Sequence, residues 1–131
     1  MKKKILIVED NSDSLEIMNL FITKMGYQAI KAKNSQEAIT LAEAENPDLI
    51  FMDMDLPDVD GVKTTAILRR NAKTSHIPVV AITAWISGLW QEKAARAGIA
   101  TYLIKPITPQ TLKETMDEYT KRSPTRNEVR F

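Results

Sequence analysis

Acidic residues and one lysine stand at the ends of short apolar runs in this chain of 131 residues. The runs, each with the polar residues that follow it, are 5–8 with Glu9 and Asp10, 49–52 with Asp53, 79–82 with Thr83, and 102–104 with Lys105. Short apolar runs bounded by polar residues are typical of buried strands. If these strands are parallel, their carboxyl ends share one edge of the sheet, where open α/β sheets bind ligands. The sequence therefore predicts three carboxylates and a lysine at one edge, which is a site for a cation and a phosphoryl group.

These residue types suit phosphoryl transfer, in which catalysis consists mostly of positioning and electrostatic stabilisation. An aspartate attacks phosphorus only when its repulsion from the phosphoryl oxygens is suppressed. Magnesium held by carboxylates does part of this, because it prefers hard oxygen ligands and leaves coordination positions for phosphate. The lysine supplies a compact positive charge to another phosphoryl oxygen, and the hydroxyl of Thr83 can donate to a third.

Strand and helix patterns alternate five times along the chain, which predicts a parallel α/β fold. The predicted strands cover residues 4–8, 27–32, 49–52, 78–82 and 101–104. The predicted helices cover 12–25, a segment that is capped by Asn34 or Ser35 and ends before Pro47, 62–70, part of 86–97, and the segment that starts at Thr108 and Pro109. Ser12 is a candidate cap for the first helix, and the mixed polarity of the second strand predicts a sheet edge. Residues 121–131 are polar and broken by proline, which predicts a frayed tail.

Composition narrows the function classes. The net charge is +1, so no global charge favours nucleic acid or a membrane surface. The absence of cysteine excludes disulfides, thiol catalysis and zinc–thiolate sites. No apolar run approaches the roughly 20 residues that a membrane span needs, and the first run is too short for a signal peptide. We therefore expect one cytoplasmic domain.

The sequence resembles the receiver domain of two-component response regulators, in its stand-alone form, over about residues 3–119. The matching residues lie in order at the predicted strand ends: Glu9-Asp10, Asp53, Asp60-Gly61, Thr83-Ala84, Tyr102 and Lys105-Pro106. The resemblance implies a doubly wound, flavodoxin-like (βα)5 fold in three layers, with a five-stranded parallel sheet of order 2-1-3-4-5. It also implies a receiver domain over residues 1–120, followed by the tail.

The resemblance implies that Asp53 accepts a phosphoryl group from a sensor histidine kinase or a histidine phosphotransfer protein. Asp10, Asp53 and the backbone carbonyl of Asp55 would ligate Mg²⁺ directly, and Glu9 would act mostly through metal-bound water. The protein would be a signalling module that catalyses its own phosphorylation and dephosphorylation, and not a metabolic enzyme.

The resemblance also implies a switch. Lys105 would pair with the phosphoryl group, Thr83 would swing toward it, and Tyr102 would follow inward. The bond between Lys105 and Pro106 would be cis, which proline makes accessible. The motion would reshape the surface of the fourth helix, fifth strand and fifth helix and so control a protein partner, in a monomer or a phosphorylation-dependent dimer.

A candidate partner surface comprises Trp85, Leu89, Trp90 and Tyr102. Tryptophan is enriched at binding hot spots, so at least one exposed indole is a candidate anchor, whereas the alternative is core packing of the fourth helix. Thr83 also has the alternative of serving only as the cap of that helix.

Competing functions explain the residues less well. A magnesium-dependent phosphatase of the haloacid-dehalogenase type would use Asp53 and Asp55, but it would leave Glu9 and Asp10 without a role. A phosphorylation-independent pseudo-receiver is the other alternative, although the acids, Thr83 and Lys105 are all present. A calcium loop fails on spacing, and direct DNA binding is not expected because only twelve residues follow Tyr119.

Overall fold

A computed structural model describes residues 2–121, so the predicted tail lies almost wholly outside the described residues. Within this part of the chain, five strands alternate with five helices, as the sequence predicts. The strands are β1 Lys4–Val8, β2 Gln28–Ala32, β3 Leu49–Asp53, β4 Val79–Thr83 and β5 Thr101–Ile104. The helices are α1 Ser12–Lys24, α2 Ser35–Glu45, α3 Gly61–Arg70, α4 Gly88–Ala97 and α5 Pro109–Thr120.

The sheet is parallel throughout, with strand order β2-β1-β3-β4-β5. This confirms the expected order, and it confirms that the partly polar β2 lies at an edge. The register pairs Val8 with Met52 and Asp53 with Ile82, so consecutive carboxyl ends are level with one another. The residues that follow β1, β3, β4 and β5 therefore meet along one edge of the sheet.

Apolar side chains cover both faces of the sheet, because alternate residues of a strand point to opposite sides. On one face the strands pack against α1 and α5 through Leu15, Met18, Ile22, Leu112 and Met116. On the other face they pack against α2, α3 and α4 through Ala38, Ala42, Leu68 and Ala94. Both faces of the sheet are therefore covered, and the carboxyl-end loops leave the sheet between these two cores. No helix in the described part of the chain is long and apolar enough to cross a membrane.

Each helix N-terminus that borders this edge has a polar side chain as its cap, but the prediction of Ser12 as a cap is wrong, and the alternative role of Thr83 as a cap is excluded. Asn11, not Ser12, caps α1, because its side-chain oxygen accepts the backbone N–H of Ser14. Ser87, not Thr83, caps α4. A cap must directly precede the first helical residue, and Thr83 is still part of β4 when the chain leaves the sheet.

Candidate functional site

Three carboxylates meet where β1 and β3 end. Glu9, Asp10 and Asp53 each offer an oxygen, and these oxygens lie within 4.8 Å of one another. Asp10 is exposed, but Glu9 is only 4% exposed and Asp53 only 3%. Burying two carboxylates side by side is unfavourable unless positive charge or strong hydrogen bonds compensate them.

Lys105 supplies part of that compensation. Its Nζ lies 3.6 Å from Oε1 of Glu9 and 3.5 Å from Oδ2 of Asp53, so the ammonium group lies between the two buried acids. The backbone N–H of Lys105 donates to the carbonyl of Thr83 at 2.8 Å, and its bond to Pro106 is cis. The hydrogen bond to Thr83 holds the start of the β5–α5 loop next to the end of β4.

Backbone amides provide further donors to the buried acids. The N–H of Asn11 donates to Oε2 of Glu9 at 3.2 Å, and the N–H of Asp55 donates to Oδ1 of Asp53 at 3.2 Å. Burial and the hydrogen-bonded neighbour Glu9 nevertheless raise the pKa of Asp53 to about 6. One lysine and two amides therefore leave the cluster with excess negative charge.

The donor set fits a small divalent cation. Mg²⁺ takes oxygen ligands, is bound through one or two carboxylates, and keeps open positions for water or phosphate. Glu9, Asp10 and Asp53 supply such oxygens within one cation's reach, and their uncompensated charge favours a cation. Asp55, the source of the expected backbone-carbonyl ligand, lies two residues after Asp53 and is exposed.

The loop after Asp53 is closed by a glycine. The N–H of Gly61 donates to the carbonyl of Met54 at 3.2 Å, which folds the loop back onto the end of β3. A β-carbon at position 61 would lie 2.8 Å from the carbonyl oxygen of Asp53, which is closer than a side chain can approach. Gly61 therefore lets α3 begin directly against the residue that carries the central carboxylate.

Two other acids of this loop have structural roles and lie outside the carboxylate cluster. Asp60 caps α3 by accepting the N–H of Lys63 at 2.9 Å. Asp58 accepts the N–H groups of Ser35 and Gln36 at the start of α2, and these bonds lower the pKa of Asp58. Of the loop acids, only Asp55 contacts the cluster.

Thr83 lies level with the cluster, but its hydroxyl is engaged within its own loop. Oγ1 of Thr83 donates to the carbonyl of Trp85 at 2.8 Å and accepts the N–H of Trp85 at 3.3 Å. Trp85 itself is 74% exposed. The hydroxyl therefore has a local partner that any incoming ligand must replace.

The four residues of the candidate partner surface divide into two pairs. Trp85 and Leu89 are exposed, which confirms that at least one indole is on the surface. Trp90 and Tyr102 are half-buried and stack edge to face, with ring centroids 5.6 Å apart and an interplanar angle of 86°. The side-chain amide of Gln91 donates to the Tyr102 hydroxyl at 3.0 Å. Gln91 was not identified from the sequence, because no local sequence pattern predicts this contact.

Known proteins share this fold and part of this sequence. The chain is 37% identical over 119 residues to the polar-differentiation response regulator DivK of Brucella anthropi, covering 91% of this chain and 97% of that protein. A putative response regulator from Chloroflexus aurantiacus superposes with a TM-score of 0.86 at 27% identity, covering 93% of this chain and 100% of that one.

A further solved structure is described with its metal. The receiver domain of the sensor histidine kinase PA1611 from Pseudomonas aeruginosa was determined with a magnesium ion coordinated in its active-site cleft. It superposes with a TM-score of 0.85 at 27% identity, covering 93% of this chain and 100% of that one. The family model of the response regulator receiver domain matches residues 5–117. The chain thus belongs to the family of response regulator receiver domains.

Proposed function

We propose that Asp53 accepts a phosphoryl group from a sensor histidine kinase or a histidine phosphotransfer protein, with Mg²⁺ held by Glu9, Asp10, Asp53 and the backbone carbonyl of Asp55. The observation that carries the proposal is the position of Lys105, whose ammonium group lies between the buried carboxylates of Glu9 and Asp53. A structural ion pair needs only one acid, whereas a phosphoryl site needs a nucleophile, a cation site and a separate positive charge.

The residues divide the chemistry among them. An oxygen of the Asp53 carboxylate attacks phosphorus, the acyl phosphate bond forms, and the bond from phosphorus to the donor nitrogen breaks. Lys105 then pairs with one phosphoryl oxygen, and the hydroxyl of Thr83 donates to another. Mg²⁺ held by Glu9, Asp10, Asp53 and the backbone carbonyl of Asp55 would supply further positive charge against the charge of the phosphoryl group. The same residues position water for the later hydrolysis.

The output of the proposed switch is a change in protein contacts. When Thr83 turns toward the phosphoryl group, Tyr102 follows inward and the surface formed by α4, β5 and α5 changes. Trp85, Leu89, Trp90 and Tyr102 are the proposed contacts with a downstream protein. This is a signalling role in the cytoplasm, and the alternatives of a phosphatase and of a pseudo-receiver have no observation of their own in their favour.

Intact-mass measurement after incubation with acetyl phosphate tests the proposal. We expect the wild type to gain one phosphoryl group in the presence of Mg²⁺ and none in EDTA. Asp53→Asn should gain none, whereas the matched control Asp55→Asn should still gain one, because only the backbone of Asp55 is assigned to the metal. A gain by Asp53→Asn equal to that of the wild type contradicts the proposal.

A further inference from the structure

A cavity of about 400 Å³ lies beside the carboxylate site, between the N-terminal ends of α3 and α4. Its apolar lining includes Met54, Val62 and Trp90, and Lys63 and Lys93 also line it. Trp85, on the segment that joins β4 to α4, also lines the cavity, although this residue remains largely exposed. An open apolar cavity and an exposed indole thus lie next to each other.

Leaving the cavity lining and the Trp85 indole in water is unfavourable, because burying an aromatic side chain removes a large apolar area from water. Trp85 is nonetheless 74% exposed. Its backbone is tied on both sides by one hydroxyl: Oγ1 of Thr83 donates to its carbonyl at 2.8 Å and accepts its N–H at 3.3 Å. These two bonds fix the backbone of Trp85 in a position that leaves the residue largely exposed.

The hydroxyl of Thr83 has a single proton and can donate it to one acceptor at a time. A phosphoryl oxygen is the stronger acceptor, since hydrogen bonds to charged oxygens are shorter and stronger than those to a carbonyl. Donation to a phosphoryl group on Asp53 therefore breaks the bond to the Trp85 carbonyl. Residues 84–87 belong to no helix or strand, so the segment can then rearrange without breaking regular structure.

We propose that the hydroxyl of Thr83 is a latch that keeps Trp85 exposed at the mouth of the cavity, and that withdrawal of the hydroxyl lets the indole move into it. In the closed position the ring contacts Met54 and Val62, and the ammonium groups of Lys63 and Lys93 lie near its face. Trp85 is then a lid over the approach to Asp53 and is withdrawn from the surface. The physiological trigger rests on the proposed function, but the latch itself does not.

Single-tryptophan variants test the latch without metal or phosphate. The chain has two tryptophans, so Trp90→Phe leaves Trp85 as the only one and keeps an aromatic ring against Tyr102. In this background Thr83→Val removes the hydroxyl at nearly constant shape, and Thr83→Ser keeps it. We expect Thr83→Val to shift Trp85 emission to shorter wavelength and to reduce acrylamide quenching severalfold, while Thr83→Ser retains the exposed signal. Equal quenching in the two variants, with folding verified by circular dichroism, overturns the proposal.

Filling the cavity provides a second test. Val62→Phe adds a ring to the cavity lining, so the double variant Thr83→Val, Val62→Phe should recover the quenching of an exposed Trp85. If Trp85 stays protected in the double variant, the indole is buried elsewhere and the proposal is overturned.

Beryllofluoride with Mg²⁺ then tests the trigger in the Trp90→Phe background. Protection of Trp85 from acrylamide quenching supports the latch. Unchanged quenching overturns it, provided that the same variant gains a phosphoryl group from acetyl phosphate in the intact-mass measurement. The Thr83→Val comparison uses neither metal nor beryllofluoride, so its failure counts against the latch alone. Failure of the proposed function would show instead as no gain of a phosphoryl group.

Discussion

Replacing Asp53 by asparagine should stabilise the metal-free protein, although Asp53 is the central residue of the site. The three carboxylates lie within 4.8 Å of one another. At an effective dielectric constant of about 20, each such pair repels by roughly 3.5 kcal/mol, and Lys105 attracts Asp53 by roughly 5 kcal/mol. The two repulsions exceed the one attraction by about 2 kcal/mol, before the unfavourable burial of the charge is counted.

The raised pKa of Asp53 gives a second measure of the destabilisation caused by its charge. Burial and Glu9 raise it from 3.8 to about 6. A rise of this size corresponds to about 3 kcal/mol of unfavourable interaction with the ionised form. We therefore expect Asp53→Asn to raise the melting temperature at pH 7 in EDTA by roughly 8 °C for a domain of this length.

The pH dependence gives the sign of the effect. Because the folded protein holds the Asp53 proton to higher pH than the unfolded chain does, the contribution of Asp53 to wild-type stability falls as the pH rises from 3.8 to about 6. Asparagine has no proton to lose, so the stability gained by Asp53→Asn should be small near pH 3.8 and complete above about pH 6.

Thermal melts in EDTA across this pH range measure the difference. Asp55→Asn is the matched control: it removes a neighbouring but exposed acid and should change the melting temperature little. An equal or lower melting temperature for Asp53→Asn at pH 7, or an advantage that does not grow with pH, refutes the account of mutually repelling buried acids.

Three further predictions concern the metal and the glycines. Mg²⁺ should raise the wild-type melting temperature in proportion to the logarithm of its concentration, and much less in Asp53→Asn; equal shifts in differential scanning fluorimetry contradict the assigned ligands. Gly61→Ala should weaken Mg²⁺ binding in the same assay, because its β-carbon would lie 2.8 Å from the Asp53 carbonyl oxygen; unchanged binding contradicts the positioning role. Gly98→Ala should lower the unfolding free energy measured in urea by about 1–3 kcal/mol and leave the Mg²⁺-dependent rise in melting temperature intact. The reason is that Gly98 has a φ of 95° and that Arg69 packs against it, so alanine would be strained there. An unchanged urea midpoint contradicts this strain.

Local sequence patterns were sufficient for most of the fold. Buried parallel strands need continuous apolar runs, and the residues after them must leave the core, so 5–8 and 49–52 marked both the strands and the positions of the acids. The polarity of 28–32 marked an edge strand for the same reason: one side of β2 has no neighbour.

Other features depend on contacts between distant segments, and no local pattern encodes them. Trp85 and Trp90 are the same residue type five positions apart, yet one is exposed and the other packs on Tyr102. The difference arises because α4 begins only at Gly88, after an irregular segment. The cavity beside Thr83 likewise exists only because α3 and α4 approach each other at their N-terminal ends.

Locating the phosphoryl group tests the central claim most directly. After treatment with acetyl phosphate and Mg²⁺, borohydride reduces an aspartyl phosphate to homoserine, and tandem mass spectrometry of the peptides identifies the reduced residue. We predict homoserine at position 53 alone, lost when Mg²⁺ is omitted. Homoserine at position 10 or 55, or a phosphoryl group that survives borohydride on a hydroxyl residue, would contradict the assignment of Asp53 as the acceptor.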